Sequence, residues 1–579
     1  MDLPQYQYQP LKPRQIRALE FQSDAKAHMT LVDMYKSTSS KRYAALSYTW
    51  GVDTTTFPFW CDTQDLPVRH NLLDALDRLK DLVKMPIWID AMCINQEDEI
   101  EKFDQIKMMT DIYKRAEKVY IWLGEGTPDT EMAADQLQII TDRLTGLKKP
   151  TRGVDAAMSP SFVAGIRHIL TCPWWSRLWV LQEATLARDA IFVCGSRKIP
   201  WKALSNLTRQ IKRLDLYSKF RGNDQRLEYC DGFTEILNTE LVRHTHSDNL
   251  AADLLRICRQ RMCFDPRDRV YGVLGLMEKY FYGSFLWEAG ETVEDIYPPF
   301  IAVLISQDSV AELLSLNETT ERNPNLPSWC PDLHHRSVSN VLADYDGYHA
   351  GFTIQTTTRF NYDPEDFTKI QGKGIVMDII KDVSQATWED EDGHELSDDP
   401  ELVSKMQRNI KMLQEYTEAA REFISKDDLW RLFVGDMKGP RDSKLNLLAG
   451  FASFHDRLID HRWKEEAESY RDAFLELSTL SLNAEVPSLL IQRYMKNARR
   501  VCLGRKLFTT ENGRVGLGPR LMAAGDVVCI FKCVRVPFVL RPHASLPDTF
   551  SLVGEAYVYG IMKGEHLKVN KKFYWITLV

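Results

Sequence analysis

The N-terminal half of the sequence predicts an α/β fold, with a parallel sheet and helices on both of its faces. Short apolar runs typical of buried strands alternate there with amphipathic stretches at helical spacing, the pattern of βαβ units. Farther along, the pattern is mainly helical. In the last part of the chain, apolar runs alternate with Gly and Pro turns, which predicts a small β-rich C-terminal domain.

The predicted elements of the parallel sheet follow one another along the chain. Pro86 ends the first helix, because proline cannot continue one, and Gly124 closes the third strand. A helical insertion at about 128–172 precedes a helix that begins near Ser176. The predicted strands are 43–51, 87–89, 119–123 and 190–194, and helices are predicted at 71–83 and from residue 101 onward.

The length of 579 residues exceeds what one hydrophobic core usually supports, so we expect several domains. Residues 389–401 form an acidic stretch typical of a solvated loop. The predicted segments are a lead segment 1–40, the α/β domain 41–204, a helical region 205–340, a helical or irregular region 341–499 and the β-rich domain 500–579.

Composition argues against several partners. A net charge of −8 and a pI near 6.0 give no basic footprint for nucleic acid or an anionic membrane. The sequence has no run of eighteen apolar residues and no secretory signal, so we expect no membrane span and a cytoplasmic location. The eleven cysteines lack zinc-site spacing, so we predict neither a structural metal nor a disulfide framework.

Candidate ligand-binding residues follow from the sheet, because parallel sheets bind ligands beyond the carboxyl ends of their strands. Ser47, Tyr48 and Gly51 lie on the first such loop, where backbone N–H groups could approach phosphates, and Trp50 could stack on an aromatic ring. Asp90 ends the second strand. A plain turn explains Gly51 equally well, and Asp90 could instead cap the following turn.

Three long tryptophan-rich segments resemble the signatures of the fungal heterokaryon-incompatibility (HET) family. They are YAALSYTWG, IWIDAMCINQEDEIEKFDQIKMMTDIYKRAEKVYIWLGEG and PWWSRLWVLQEATLARDAIFVCGS. Segments nearer the C-terminus, such as GLGPRLMAAGDVV, also resemble ones found in HET proteins. One departure is Glu101-Lys102, where the family usually has Glu-Arg, which puts any bidentate contact there in doubt.

HET domains are in turn similar to TIR domains, which implies a TIR-like (flavodoxin-like) fold. AALSYTWG resembles the opening strand and loop of a TIR domain, and the strand ending in Asp90 resembles its second strand. WVLQE resembles the TIR motif in which a tryptophan precedes a glutamate by four residues. In NAD-cleaving TIR domains that glutamate is catalytic, so the resemblance implies Glu183 as the catalytic carboxylate, beside Trp179.

The residues themselves give a weaker case for Glu183. On a helix, Trp179 and Glu183 would share a face, and no cationic residue lies three or four positions from Glu183. Such a carboxylate must find a partner elsewhere, shift its pKa or sit in a cleft. The alternative interpretation is a structural glutamate hydrogen-bonded to a loop.

The resemblance implies an effector of self/non-self recognition and programmed cell death that hydrolyses NAD and releases nicotinamide. NAD is then a substrate, no separate cofactor is expected, and a homo-oligomer or an incompatibility partner protein would complete the site. Two alternatives stay open. One is a non-enzymatic TIR-like interaction scaffold, and the other is an enzyme or regulator of a biosynthetic cluster.

Overall fold

The chain divides into two compact units, Met1–Thr292 and Val293–Val579. The computed structural model describes residues 4–22, 27–35, 41–51, 53–147, 158–214, 216–220, 232–244, 250–281, 290–306, 311–318, 321–335, 339–345, 347–351, 360–388, 400–425, 428–437, 486–568 and 572–579.

The first unit is built on a nine-stranded mixed sheet. Its strands are β1 (Gln15–Phe21), β2 (Ala27–Asp33), β3 (Ala44–Ser47), β5 (Trp60–Cys61), β6 (Gln64–Asp65), β8 (Ile87–Trp88), β9 (Val119–Trp122), β10 (Ala190–Cys194) and β11 (Arg197–Pro200). A separate short ladder pairs β4 (Thr56–Phe57) with β7 (Val68–Arg69).

Four strands form the parallel centre of this sheet, in the spatial order β8–β3–β9–β10. They are the four strands that the sequence predicts, somewhat shorter at β3, β8 and β9, and β10 has the predicted bounds. Their residues are almost entirely buried, as expected for a parallel sheet covered on both faces. The α/β prediction for the N-terminal half is therefore confirmed at this level.

The antiparallel hairpin β1–β2 extends the sheet beyond β8. It lies within residues 1–40, for which the sequence predicts only a lead segment. Arg17, on β1, is only 1% exposed. Its guanidinium makes two hydrogen bonds to the carboxylate of Glu101, at 2.6 and 2.9 Å. Lys102 pairs with Glu99 at the surface, so the bidentate contact in this motif uses Glu101 and not its basic neighbour.

Helices flank the sheet of the first unit. They are α1 (His70–Leu82), α2 (Asp90–Cys93), α3 (Glu99–Arg115), α4 (Pro128–Thr145), α5 (Pro160–Leu170), α6 (Val180–Leu186), α7 (Trp201–Leu214), α8 (Tyr217–Phe220), α9 (Gly232–His244), α10 (Leu250–Gln260), α11 (Asp268–Leu274) and α12 (Glu278–Phe281). The predicted insertion at 128–172 contains α4 and α5. None of the helices among the described residues is both long and apolar enough to cross a membrane.

Asp98 caps the helix that carries Glu101. Its carboxylate accepts hydrogen bonds from the backbone N–H groups of Ile100 and Glu101, each at 3.0 Å. These N–H groups have no partner inside the helix, so the cap satisfies them and starts α3 where Glu101 can reach Arg17.

We expect Asp98→Ala to lower the free energy of unfolding of the first unit by about 1 kcal/mol, because two N–H groups lose their acceptor. Urea unfolding followed by tryptophan fluorescence measures the change. Asp98→Asn keeps an acceptor oxygen and should recover most of the loss. An equal loss in both variants would mean that the charge of Asp98, rather than the cap, stabilises the helix.

A cluster of aromatic rings fixes the segment before α6. A 3₁₀ turn at Pro173–Ser176 carries Trp174 and Trp175, each 1% exposed. Trp175 packs against Phe192 of β10 and Trp201 of α7, with ring centroids 5.4 and 6.2 Å apart. The cluster therefore anchors the turn that leads into Trp179 and Glu183 to the parallel sheet.

The second unit contains the predicted β-rich C-terminal region. Its strands are β12 (Asn361–Asp363), β13 (Asp366–Val383), β14 (Arg505–Thr510), β15 (Val515–Pro519), β16 (Val527–Phe531), β17 (Phe538–Pro542), β18 (Thr549–Glu555), β19 (Tyr557–Val558) and β20 (Tyr574–Leu578). The ring β16–β17–β18–β20–β13 is closed, because β13 pairs with both β20 and β16. Strands β14, β15 and β19 extend from β13.

The long strand β13 lies in the region 341–499, where the sequence analysis expected helical or irregular structure. Helices are also present in this unit. They are α13 (Val293–Ser306), α14 (Pro400–Ala420), α15 (Leu429–Phe433) and α16 (Val486–Cys502). Residues 389–399 of the predicted acidic loop lie outside the described residues, as do 438–485.

Candidate functional site

The carboxyl ends of the parallel strands bring the predicted site residues together. The chain runs from β3 outward to β8 and then returns past β3 to β9, so the strand order reverses at β3. Ligands of open α/β sheets bind at such a reversal, beyond the strand ends. Ser47 is the last residue of β3, and Asp90 begins the short helix directly after β8.

Glu183 reaches the strand end from α6. The hydroxyl of Ser47 donates a hydrogen bond to Oε2 of Glu183. The indole N–H of Trp174 donates to the same hydroxyl oxygen at 2.7 Å, which orients the Ser47 proton toward the carboxylate. Glu183 is 3% exposed, and its other oxygen, Oε1, has no hydrogen-bond partner among the described residues.

Asp90 is held by the loop that follows β3. The indole of Trp50 donates to Oδ2 of Asp90 at 2.9 Å, and the backbone N–H of Ala91 donates to Oδ1 at 2.7 Å. The hydroxyl of Tyr48 also lies close enough to this carboxylate to favour its ionised form and so to lower the pKa of Asp90. Gly51 ends this loop with a φ of +77° and open space where a Cβ would lie, so its backbone needs glycine although no neighbour crowds it.

Arg177 lies near the same strand end and was not singled out from the sequence. One of its guanidinium nitrogens donates to the backbone carbonyl of Tyr48. The backbone of Arg177 is itself fixed, because Arg177 and Met262 form a β-bridge. Its charge acts on both Asp90 and Glu183, yet neither carboxylate lies within ion-pair distance among the described contacts.

Burial is the main cause of the raised pKa values of these two carboxyl groups. It raises the pKa of Glu183 to about 7, while Arg177 and the Ser47 hydrogen bond oppose the shift and Asp90 adds to it. Burial also raises the pKa of Asp90, against Arg177 and its hydrogen-bond donors. Burial and the repulsion from Asp90 both disfavour the charge on Glu183, so with a pKa of about 7 this carboxyl group releases its proton near neutral pH.

Trp179 is separated from this cluster by its hydrogen bonding. Its indole donates to the carboxylate of Asp268 on α11 at 3.1 Å, and burial raises the pKa of Asp268 to about 6. The structure thus brings together Ser47, Tyr48, Trp50, Asp90 and Glu183. Sequence reasoning missed Trp174 and Arg177, although both lie in the tryptophan-rich segment that contains Glu183.

The raised pKa of Glu183 makes the stability of this unit depend on pH. The unfolded carboxyl titrates near 4.5 and the folded one near 7, so the folded state holds the proton more tightly between these values. Stability is therefore lost as the pH rises through that window, by up to about 3 kcal/mol for this one group. Glutamine cannot titrate, so the difference in unfolding free energy between Glu183→Gln and wild type should grow from pH 5 to pH 8. Urea titrations at several pH values measure it, and a difference independent of pH would contradict the assignment.

Within the described residues, no three His, Cys, Asp or Glu side chains are arranged to hold a metal ion. The chemistry that this cluster offers is that of a carboxylate with one unpaired oxygen, a neighbouring guanidinium and the half-buried indole of Trp50.

Comparison with known proteins identifies the family. A family model for "Heterokaryon incompatibility protein (HET)" matches residues 43–183, which includes every member of the cluster. A second model, "Het-6 beta-barrel domain", matches residues 403–576 in the second unit. The chain is also 24% identical, over 90% of its length and 89% of the relative's, to "Heterokaryon incompatibility protein 6, OR allele" of Neurospora crassa. The chain belongs to the fungal HET proteins. No solved structure matches it.

The family assignment makes the two missed residues easier to interpret. In this HET protein the matched region runs from Tyr43, just before β3, to Glu183, so its two ends meet through the Ser47–Glu183 hydrogen bond. Trp174 and Arg177 lie inside the same region and contact the same strand end.

Proposed function

We propose that this HET protein acts in heterokaryon incompatibility and that its first unit carries out the step that harms the cell, by hydrolysing NAD in the cytoplasm. Two findings support the biological role. One is the family match, and the other is the Neurospora relative, which is named as an incompatibility protein and matches over nearly its whole length. The observation that carries the chemistry is the placement of Glu183, with one unpaired oxygen, at the reversal point of the parallel sheet.

The spatial order of the parallel strands supports a TIR-like origin of this unit. Numbered along the chain, β3, β8, β9 and β10 lie in the order 2-1-3-4, which is that of flavodoxin-like sheets. The glutamate of the WVLQE segment then meets the end of the first parallel strand, as the resemblance to TIR domains implies.

In the proposed reaction the bond between ribose C1′ and the pyridinium nitrogen of NAD breaks, and its electron pair stays on nitrogen as neutral nicotinamide. Positive charge develops on the ribose, and the ionised carboxylate of Glu183 stabilises it at short range. Water then adds to C1′ and loses a proton, which gives ADP-ribose. Trp50, half-buried on the neighbouring loop, offers a ring against which a base can stack.

Access is the main demand on this proposal. Glu183 is 3% exposed, so NAD reaches Oε1 only after a covering segment moves, and the Tyr48–Gly51 loop next to Ser47 is the segment that we expect to move. We propose that self-association, or binding of the incompatibility partner, opens this loop. Activity should then rise more than in proportion to protein concentration, or appear only after the partner is added.

The test is nicotinamide release from NAD by the purified full-length chain, measured by chromatography at pH 8 over a wide range of protein concentrations. Glu183→Gln, with its oligomeric state checked by light scattering, is measured alongside. Release by the wild type and loss in the variant support the proposal. Equal release by both moves the active site elsewhere.

A second candidate is a non-enzymatic interaction scaffold, and the burial of Glu183 favours it. In that case the Ser47–Glu183–Trp174 contacts lock α6 to the sheet and shape a recruiting surface. Absence of nicotinamide release under every assembly condition, together with intact cell killing by Glu183→Gln, would support the scaffold.

A further inference from the structure

The guanidinium of Arg177 is bonded to the loop after β3, and most of its N–H groups have no partner within the described residues. It makes one hydrogen bond, to the carbonyl of Tyr48, and its Nε and Nη2 have no partner within the described part of the chain. The residue is half-buried. A guanidinium has five N–H donors in a rigid fork, and one bond leaves most of these donors available.

Arg177 and Glu183 are anchored to adjacent residues at the end of β3. Arg177 bonds to Tyr48, and Glu183 bonds to the adjacent residue, Ser47. Trp50 of the same loop donates its indole N–H to Asp90 at 2.9 Å. Movement of the loop after β3 therefore changes the distances between the guanidinium and both carboxylates at once.

We propose that Arg177 is the positioning residue of this site: fixed to the loop after β3 beside Ser47, it favours the ionised form of Glu183 and leaves Oε1 available to a ribose hydroxyl. The catalytic meaning of this role rests on the proposed NAD hydrolysis, whereas the effect on the charge of Glu183 does not. Without Arg177, a buried glutamate beside Asp90 would stay protonated at the pH of the cell and could not stabilise positive charge on the sugar.

The other charged groups that face Glu183 do not replace Arg177. Asp90 carries the opposite sign and favours protonation of Glu183. Arg261 acts in the same direction as Arg177, but it is bound in a buried ion pair with Glu235. Tyr48 and Tyr113 are also coupled to Glu183, and burial keeps both hydroxyls neutral.

The first test does not need enzymatic activity. The difference in stability between wild type and Glu183→Gln is measured against pH, and again between Arg177→Gln and the double variant Arg177→Gln/Glu183→Gln. We expect the midpoint of this difference to move up by about one pH unit or more when Arg177 is removed. Arg177→Lys keeps the positive charge and should return the midpoint toward the wild-type value.

Arg69→Gln is the matched control. Arg69 also donates to a backbone carbonyl of the loop, that of Gly51 at 3.3 Å, and lies over the ring of Trp50. It is not among the main causes of the raised pKa of Glu183. The midpoint should therefore stay unchanged in Arg69→Gln. An unchanged midpoint in Arg177→Gln, or an equal shift in both variants, would overturn the proposal.

The second test separates this inference from the proposed function. If the wild type hydrolyses NAD, the acid limb of kcat/KM should shift upward in Arg177→Gln by the same amount as the stability midpoint. If the wild type has no activity but the midpoint still shifts, the proposed function fails while the role of Arg177 stands. If activity is present and neither quantity shifts, the role of Arg177 fails alone.

Discussion

If the first unit hydrolyses NAD as proposed, replacing Glu183 with glutamine should lower that turnover by about a thousandfold and, in the same protein, raise the stability of the first unit above pH 7. The two effects have one cause. The carboxylate is ionised in a buried position, which costs stability, and that same charge is what the developing cation on the ribose requires. Glutamine keeps the shape and can still accept the Ser47 hydrogen bond, so the loss does not come from misfolding.

Asp268→Asn is a matched control for this prediction. Asp268 is another carboxyl whose pKa burial raises, to about 6, and its amide replacement can still accept the hydrogen bond from Trp179. It removes a buried charge in the same unit without touching the Ser47–Glu183 contact. We expect turnover to stay within a few-fold of the wild type. A thousandfold loss in Asp268→Asn as well would mean that both variants disturb the fold rather than the chemistry.

The pH profile gives an independent view of the same carboxylate. If the ionised form of Glu183 is needed, kcat/KM should rise with pH and level off above about 7, the value to which burial raises its pKa. Stability falls through the same window. Activity and stability therefore have opposite pH dependences, which a purely structural glutamate would not produce.

How much of the fold could be read from the sequence depends on how local the signals are. Strand β10 has the predicted bounds because an apolar run ends at Gly195, whose φ of +52° terminates the strand. Hairpin β1–β2 was missed because Arg17 interrupts its apolar pattern. The partner that makes Arg17 a core residue, Glu101, lies in a distant segment that no local pattern connects to it.

Strand β13 shows a second reason why a sequence pattern does not predict a strand. Its pairing changes register between Val376 and Asp378 and again between Ile380 and Asp382. Each shift moves the following side chains to the other face, so the strict alternation expected of a strand is broken along its length. The strand is also shared among several partners, which come from parts of the chain far beyond it.

The site could be predicted in part because the rule for parallel sheets concerns strand ends, and strand ends are visible in sequence. Ser47, at the end of β3, bonds to Glu183, and Asp90 follows β8 at the same edge of the sheet, whereas their role in binding or catalysis stays a prediction. Arg177 lies six residues before Glu183, outside the helix that carries it, so helical spacing gave no sign of their association. Trp179 has helical spacing to Glu183, yet its indole bonds to Asp268.

In the second unit, Arg505→Met should lower the free energy of unfolding by about 3–5 kcal/mol. Arg505 and Glu555 are both fully buried and form an ion pair at 2.7 Å. Arg505 also donates to the carbonyls of Val501 and Asn340, at 2.9 and 2.6 Å. Removing one partner leaves Glu555 in the interior without a countercharge, which costs more than the pair itself contributes.

Two comparisons identify this cause. Lys369→Met breaks an exposed pair of the same unit, with Asp366 at 3.6 Å, and should cost less than about 1 kcal/mol. Adding Glu555→Gln to Arg505→Met removes the unpaired charge and should restore part of the stability.

Burial and the nearby Glu318 already raise the pKa of Glu555 to about 7, so protonation at acid pH neutralises the unpaired carboxylate. The loss in Arg505→Met should accordingly be smaller at pH 5.5 than at pH 8. Equal losses at the two pH values, with no recovery in the double variant, would show that packing around Arg505, rather than its charge, stabilises this unit.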